Sequence, residues 1–322
     1  MTYLDIVASV YRDVAQKPAD NLCCVATAPR RYPGLRIPGI MHEMNYGCGS
    51  SVRPEDLSEG QRALYIGVGG GLEALELAYF TRRPGGVVAI DPVAEMREAA
   101  ERNLALAAET NPWFDPAMVT ILPGDALELP VADSEFDYVA QNCLFNIFRA
   151  DHLERALSEA RRVLKLRGRL AMSDPITPTP LPEHLTDDPR LRAACLSGCQ
   201  TFDAYVRAIT EVGFGQVEVR SRRPYRALDA AGYGLPSDVL LESIDVVAVN
   251  QPTPQDGPCV YTGRTATYTG ADEAFEDGNG RTFPKGTPQA VCDKTAAALA
   301  ALGRADLLIT PPTWHYSGGG CC

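Results

Sequence analysis

From about Gln61 the chain alternates short apolar runs with longer amphipathic stretches. The runs ALYIG (63–67), GVVAID (86–91), VTILPG (119–124), FDYVAQ (136–141) and GRLAMSD (168–174) read as strands bounded by turn residues. The stretches 72–81, 93–108 and 151–165 read as helices, and a further helix is expected over 201–213. Two more strands, 215–220 and 244–250, extend the pattern. This alternation predicts an α/β, doubly wound fold with a mainly parallel sheet covered on both faces.

The flanks read differently. Positions 2–16 carry Leu4, Ile6, Val7, Val10, Tyr11 and Val14 at helical spacing, after which Pro29, Pro33 and Pro38 interrupt regular structure. At the other end, NQPTPQDGP reads as a linker. Beyond it lie the strand-like CVYTGRTATYTG, a helix expected at 294–303 and the tail SGGGCC, expected to be flexible. Three units follow: an N-terminal helical and irregular segment (1–60), the α/β domain (61–250) and a small β-rich C-terminal extension (251–322).

Composition narrows the function. With 45% hydrophobic residues in 322, a sizeable core forms without disulfide staples. Thirty Lys+Arg against 41 Asp+Glu give a net charge of −11, which argues against nucleic acid or an anionic membrane surface as partner. No basic start followed by an apolar run marks a signal peptide, and no apolar run has the length of a membrane span. The expected location is the cytoplasm, where the ten cysteines are expected to stay reduced.

In LYIGVGGGLEAL, Gly67, Gly69 and Gly71 follow the first strand and open a helix. Glycines there allow a tight turn and close backbone approach to a ligand. Asp91 ends the second strand, where a carboxylate accepts ribose hydroxyls. In GDALELP, Asp125 is placed to meet an adenine amino group, with Ala126 beside it. These features resemble the S-adenosylmethionine (SAM) methyltransferase pattern more than the NAD one. An acid commonly stands two places before the first glycine in that pattern; here the position is Tyr65.

Only four histidines exist, and none completes a zinc finger or ribbon spacing. The cysteines fall in suggestive places instead. Cys24 lies in CCVAT, Cys48 in YGCGSS, Cys143 after the fourth strand, and Cys195 in the connection after the fifth. Doubly wound folds bind ligands at that edge of the sheet. Taken singly, each cysteine also reads as a small buried apolar residue; Cys259 and Cys292 keep that reading, and Cys199 is undecided. Cys321 and Cys322 form a vicinal dithiol on the glycine tail.

Four thiol contexts around such a loop are similar to the SAM-dependent arsenite methyltransferases. The resembling residues are Cys24 in CCVAT, Tyr46-Gly47-Cys48-Gly49, Asn142-Cys143 in NCLFN, Cys195-Leu196-Ser197-Gly198 and RRVLKLRGRLAMSD. The IPGIMHEMNYGCGSS stretch and the Cys-Cys terminus look most like a bacterial branch associated with arsenosugar synthesis.

The resemblance implies a Rossmann-like class I methyltransferase fold and SAM as cofactor. Gly67, Gly69, Gly71, Asp91, Asp125, Ala126 and Asn142 would bind it. It implies methyl transfer to trivalent arsenic, from arsenite or methylarsenite, held by Cys143 and Cys195 with Cys48 as third thiolate. Cys24 (or its neighbour Cys23) would pair with Cys48 in a disulfide when methylated arsenic is reduced. A thioredoxin- or glutathione-type reductant would then restore the thiols, and Cys321 and Cys322 would deliver arsenic. Two rival readings stand beside this one. One is a SAM methyltransferase for a small organic acceptor; the other is a non-catalytic, thiol-based metalloid-binding protein.

Overall fold

The computed structural model describes residues 2–19, 22 and 31–318. Helix α1 (Tyr3–Gln16) starts at a reciprocal cap, in which Thr2 Oγ1 accepts from Asp5 N and the Asp5 carboxylate accepts from Thr2 N. After the short α2 (Gly39–Glu43) come β1 (Ala63–Ile66), α3 (Leu72–Thr81), β2 (Val87–Asp91), α4 (Ala94–Thr110), β3 (Val119–Pro123) and β4 (Phe136–Asn142). Next are α5 (Ala150–Val163), β5 (Leu164–Thr177), α6 (Glu183–Thr186), α7 (Pro189–Ala193), β6 (Gln200–Thr201) and α8 (Phe202–Glu211). The long β7 (Gln216–Leu228), a turn of helix α9 (Ala230–Tyr233) and β8 (Val239–Val249) follow.

The sheet runs β3-β2-β1-β4-β5-β8-β7 and ends on β9 (Cys259–Tyr261). The pairs from β3 to β5 are parallel, while β8 runs antiparallel to β5 and β7. The chain reverses direction across the sheet at β1 and β4, which opens a crevice at their C-terminal ends. Side chains alternate across the sheet. Leu64 and Ile66 of β1 join one apolar core, whereas Ala63 and Tyr65 join the other. Burial on both faces explains why the central strands read as continuous apolar runs.

The structure lengthens three expected strands. β5 begins directly after α5, ten residues before the crevice is reached at Ser173–Asp174, and β7 and β8 form an antiparallel ribbon well beyond 220 and before 244. The register shifts twice along the ribbon, at Val219/Ser221 and Pro224/Arg226. Pro224 sits at the second irregularity, where a missing N–H is tolerated.

β9 pairs in parallel with β7, so the segment after the linker begins as a strand of the main sheet. The remainder carries its own small core of Tyr268, Phe283 and Leu299. It consists of β10 (Thr265–Tyr268), β11 (Ala274–Glu276), β12 (Thr282–Pro284), β13 (Gln289–Ala290), α10 (Asp293–Ala301) and β14 (Leu307–Ile309). The chain then returns to β7, where Tyr316 N donates to Val219 O at 2.9 Å and Arg222 stacks over Trp314. No helix among the described residues is long and apolar enough to cross a membrane.

Candidate active site

The loop between β1 and α3 turns on three glycines in the left-handed region, Gly67 (φ +83°), Gly69 (+51°) and Gly71 (+84°). Gly71 is the N-cap of α3 and leaves that helix's first amides free of a side-chain cap. Asp91, at the end of β2, ties down the loop: its carboxylate accepts from Val68 N (3.0 Å) and Val93 N (2.9 Å). Burial raises this carboxyl to about 6, against the pull of those amides and of Arg97.

Above the loop lies a cavity of about 300 Å³. Gly67, Gly69, Asp91, Asp125, Ala126, Asn142 and Cys143 all line it. α1 roofs it with Leu4, Val7 and Tyr11. Its described lining carries four carboxylates (Asp5, Glu73, Asp91 and Asp125) and no Lys, Arg or His. Such a wall disfavours a pyrophosphate and suits a ligand with hydroxyls and positive charge. The donor set therefore fits a nucleoside bearing a sulfonium and an ammonium.

Glu73 is the residue that sequence reasoning missed. It lies in the first turn of α3, where an acid is ordinary, yet it is buried among the helix's apolar residues. Burial pushes its carboxyl up, and hydrogen bonds from Asn142 and Tyr65 hold it back. The Tyr65 phenol thus meets a carboxylate one turn of chain away instead of being one.

Asn142 is committed on every side. Its Nδ2 donates to Glu73 Oε1 (2.9 Å) and Gly49 O (3.0 Å), and its Oδ1 accepts from Cys48 N (3.1 Å). It lines the cavity while clamping the 47–49 loop.

Cys48, Cys143 and Cys195 are buried in one cluster with Val7 and Ile147. Six described cysteines, these three with Cys199, Cys259 and Cys292, are not in disulfides. Cys143 (φ +60°) and Cys195 (φ +54°) both adopt left-handed backbone, which is uncommon for side chains with a Cβ and gathers at functional sites.

Two devices hold the Cys143 turn. Cys143 N donates to Ser173 O at 2.7 Å, and Gln141 Oε1 accepts from Leu144 N. Gln141 is anchored in turn on Asp174, whose carboxyl burial raises to about 7. Among the described residues the buried Asp174 Oδ1 has no hydrogen-bond partner at regular geometry.

The Cys195 loop is tied to the same place. Arg192 donates to Ile147 O (3.2 Å) and Phe148 O (3.1 Å), and Tyr11 OH donates to Ala193 O (3.2 Å). Gly198 packs so closely that a Cβ there would overlap Asn146 O.

The three sulfurs are not gathered around one point. Among the described residues no three His, Cys, Asp or Glu side chains stand as a metal-holding group. The Cys195 thiol donates instead to Cys143 O (3.0 Å), and the Cys48 sulfur lies 3.6 Å from Ser173 Oγ. Cys199 falls in a different apolar cluster, bonds to Cys195 O, and has its thiol pushed far up by burial. It supports the loop as a neutral thiol. Cys23, Cys24, Cys321 and Cys322 lie outside the described residues.

Comparison with known proteins bears on the fold and on sequence similarity. Residues 64–172 match a family described as a methyltransferase domain. An arsenite methyltransferase from Halobacterium salinarum is 29% identical over 177 residues, covering 55% of this chain and 43% of the relative. One from Aquipseudomonas alcaligenes is 29% identical over 234 residues, covering 70% and 66%. The chain thus spans less than two thirds of either relative's length. The crystal structure of an arsenic(III) SAM methyltransferase from Chlamydomonas reinhardtii superposes with a TM-score of 0.57 at 22% identity, covering 87% of this chain and 95% of that one, which establishes the common fold. The Chlamydomonas protein is a SAM methyltransferase, and the described lining of the present cavity, without Lys, Arg or His, suits a ligand of that charge. By sequence the chain is similar to arsenite methyltransferases, and residues 64–172 match a methyltransferase domain on a fold shared with the Chlamydomonas structure.

Proposed function

We propose that this protein transfers a methyl group from SAM to trivalent arsenic held by Cys48, Cys143 and Cys195. The observation that carries the reading is one juxtaposition. Cys143 lines the cation-free cavity and also belongs to the three-thiol cluster beside it.

Arsenite enters as the substrate. Each thiol forms a sulfur–arsenic bond as arsenic loses a hydroxide, and the thiol proton leaves with that hydroxide as water. When bound, the cofactor supplies an electrophilic methyl group on a sulfonium and takes back the bonding pair as a neutral thioether.

The chain's contribution is alignment. The arsenic lone pair must point at the methyl carbon at near contact, so no proton-transferring side chain is required. The acidic lining (Glu73, Asp91, Asp125) stabilises the cofactor's positive charge before transfer. The glycine loop and Asp91 fix the nucleoside end, and the roof formed by α1 excludes water.

Methyl transfer leaves arsenic formally pentavalent. The Cys24 thiol, losing its proton to solvent, then attacks the arsenic-bound Cys48 sulfur; the Cys48–arsenic bond breaks as the disulfide forms, and its electron pair returns to arsenic as the lone pair of the trivalent state. A thioredoxin- or glutathione-type reductant reopens the disulfide. We place this chemistry in the cytoplasm, in arsenic detoxification or, as the bacterial-branch resemblance implies, arsenosugar synthesis. The Cys321-Cys322 dithiol delivers arsenic. Deleting it should raise the half-saturating arsenite concentration and leave the saturated rate intact; a lower saturated rate alone contradicts delivery.

The test of the reaction is a product assay with reduced protein, arsenite, methyl-labelled SAM and excess thiol. Labelled methylarsenic, lost in Cys143→Ser, is the expected result. Arsenite binding without labelled product favours a metalloid sink. Neither binding nor product favours an organic acceptor.

A further inference from the structure

Behind Cys48 lies a buried polar assembly drawn from four separate segments. Asp245 of β8 accepts from Ser173 Oγ of β5 (2.7 Å), from Ser221 Oγ (2.5 Å) and Arg223 Nη1 (2.9 Å) of β7, and it pairs with Arg53 (2.7 Å). Burial alone would raise this carboxyl, but Arg53 and Arg223 hold it below the usual range, so it stays ionised. Ser173 and Asp245 are at most 4% exposed.

The assembly grips Cys48 at three points. Its carbonyl accepts from Ser243 Oγ (2.9 Å) and Arg223 Nη2 (3.2 Å), and its amide donates to Asn142. The third point is the sulfur, 3.6 Å from Ser173 Oγ. A serine hydroxyl has one hydrogen. Here that hydrogen goes to the ionised Asp245, so Ser173 offers the sulfur only lone pairs, and the thiol is the donor.

Resting on the reading above, we propose that Ser173 and Asp245 are positioning residues for the Cys48 sulfur. The hydroxyl, locked as an acceptor by the carboxylate, fixes the thiol's rotamer. The same lock keeps a hydrogen-bond donor away from the sulfur once the thiol proton has left. A donor there would draw electron density from the sulfur and weaken its bond to arsenic. The device sits on strands of the main sheet, where positions are held more firmly than on loops.

The test uses the full chain with Ser173→Ala and Ser173→Thr. Three quantities are read: half-saturating arsenite, half-saturating SAM, and the peptide-resolved iodoacetamide alkylation of Cys48 at fixed pH, referenced to Cys143 and Cys195. For Ser173→Ala, half-saturating arsenite should rise about fivefold, the size of one lost hydrogen bond. SAM should be unchanged, and the Cys48 alkylation ratio should rise about threefold as the thiol loses its acceptor. Ser173→Thr, which keeps the hydroxyl, should restore both values.

An unchanged alkylation ratio in Ser173→Ala overturns the proposal. So does an equal loss for arsenite and SAM, which a merely structural role would give. If the wild-type protein neither binds nor methylates arsenite, the functional reading fails, and the alkylation ratio still decides whether Ser173 holds Cys48.

Discussion

At Tyr65 a phenol stands where an acid is common, and the carboxylate it hydrogen-bonds comes from Glu73. Replacing Glu73 by Ala removes a buried charge from the cofactor wall and one partner of Asn142. SAM affinity should fall about tenfold, in the range for hydrogen bonds to charged groups; isothermal titration checks it. Unchanged affinity would mean the phenol alone serves.

The thiols divide sharply at this scale. Cys195→Ser should abolish stoichiometric arsenite retention on a desalting column, while Cys199→Ser should keep it. Cys199 bonds to the loop backbone at Cys195 O and stays protonated by burial. The sequence shows four cysteine contexts and the odd Tyr65. It does not show Glu73, because only the burial of the whole α3 helix separates that acid from an ordinary first-turn residue. Asp245 is equally hidden, since its Arg53 partner lies far away along the chain.

The elements converge on the end of β5. Consecutive strand residues face opposite ways, so Ser173 reaches Cys48 while Asp174 reaches Gln141 and Tyr205. One strand step thus supports two of the three thiol sites, and β6, paired beyond it at Ile176 and Thr177, leads away from the Cys195 loop. Gly198→Ala tests the docking of that loop. A Cβ would overlap Asn146 O, so the loop must shift. Arsenite retention should drop at least tenfold while SAM binding holds, an effect of ~1.4 kcal/mol or more, as expected for forced overpacking. Retention equal to wild type would show that the loop has slack.

The central strands and helices are legible from periodicity because both faces of the sheet are buried. The β7–β8 ribbon is not: the charged run RSRRPYR and Pro224 imitate a loop, and the shifts at Val219/Ser221 and Pro224/Arg226 break the alternation. The pairing of β9 with β7 is a long-range contact that no local pattern announces.

At the scale of the molecule, burying carboxylates around the crevice has a pH signature. Asp91 is raised to about 6 and Asp174 to about 7, and Glu73 and Asp56 shift upward too. In the unfolded chain these groups titrate near ~4. The native state therefore binds their protons more tightly, and their contribution to stability falls as pH rises from about 4 to about 7. Asp245 shifts the other way, and its effect belongs below that window. The Tm of the ligand-free protein should be lower at pH 8 than at pH 5.5, and Asp174→Asn should flatten the slope. A Tm that rises over this range would contradict the burial argument.

The central claim is that the methyl acceptor is arsenic already bound by the chain's own thiols. Single-turnover transfer tests it most directly. Reduced protein is loaded with arsenite, desalted to remove unbound arsenic, and mixed with methyl-labelled SAM. The account predicts one rapid burst of labelled methylarsenic equal to the loaded fraction, and none in Cys143→Ser. Retained arsenic that gains no label, or label that appears on a protein sulfur, would contradict it.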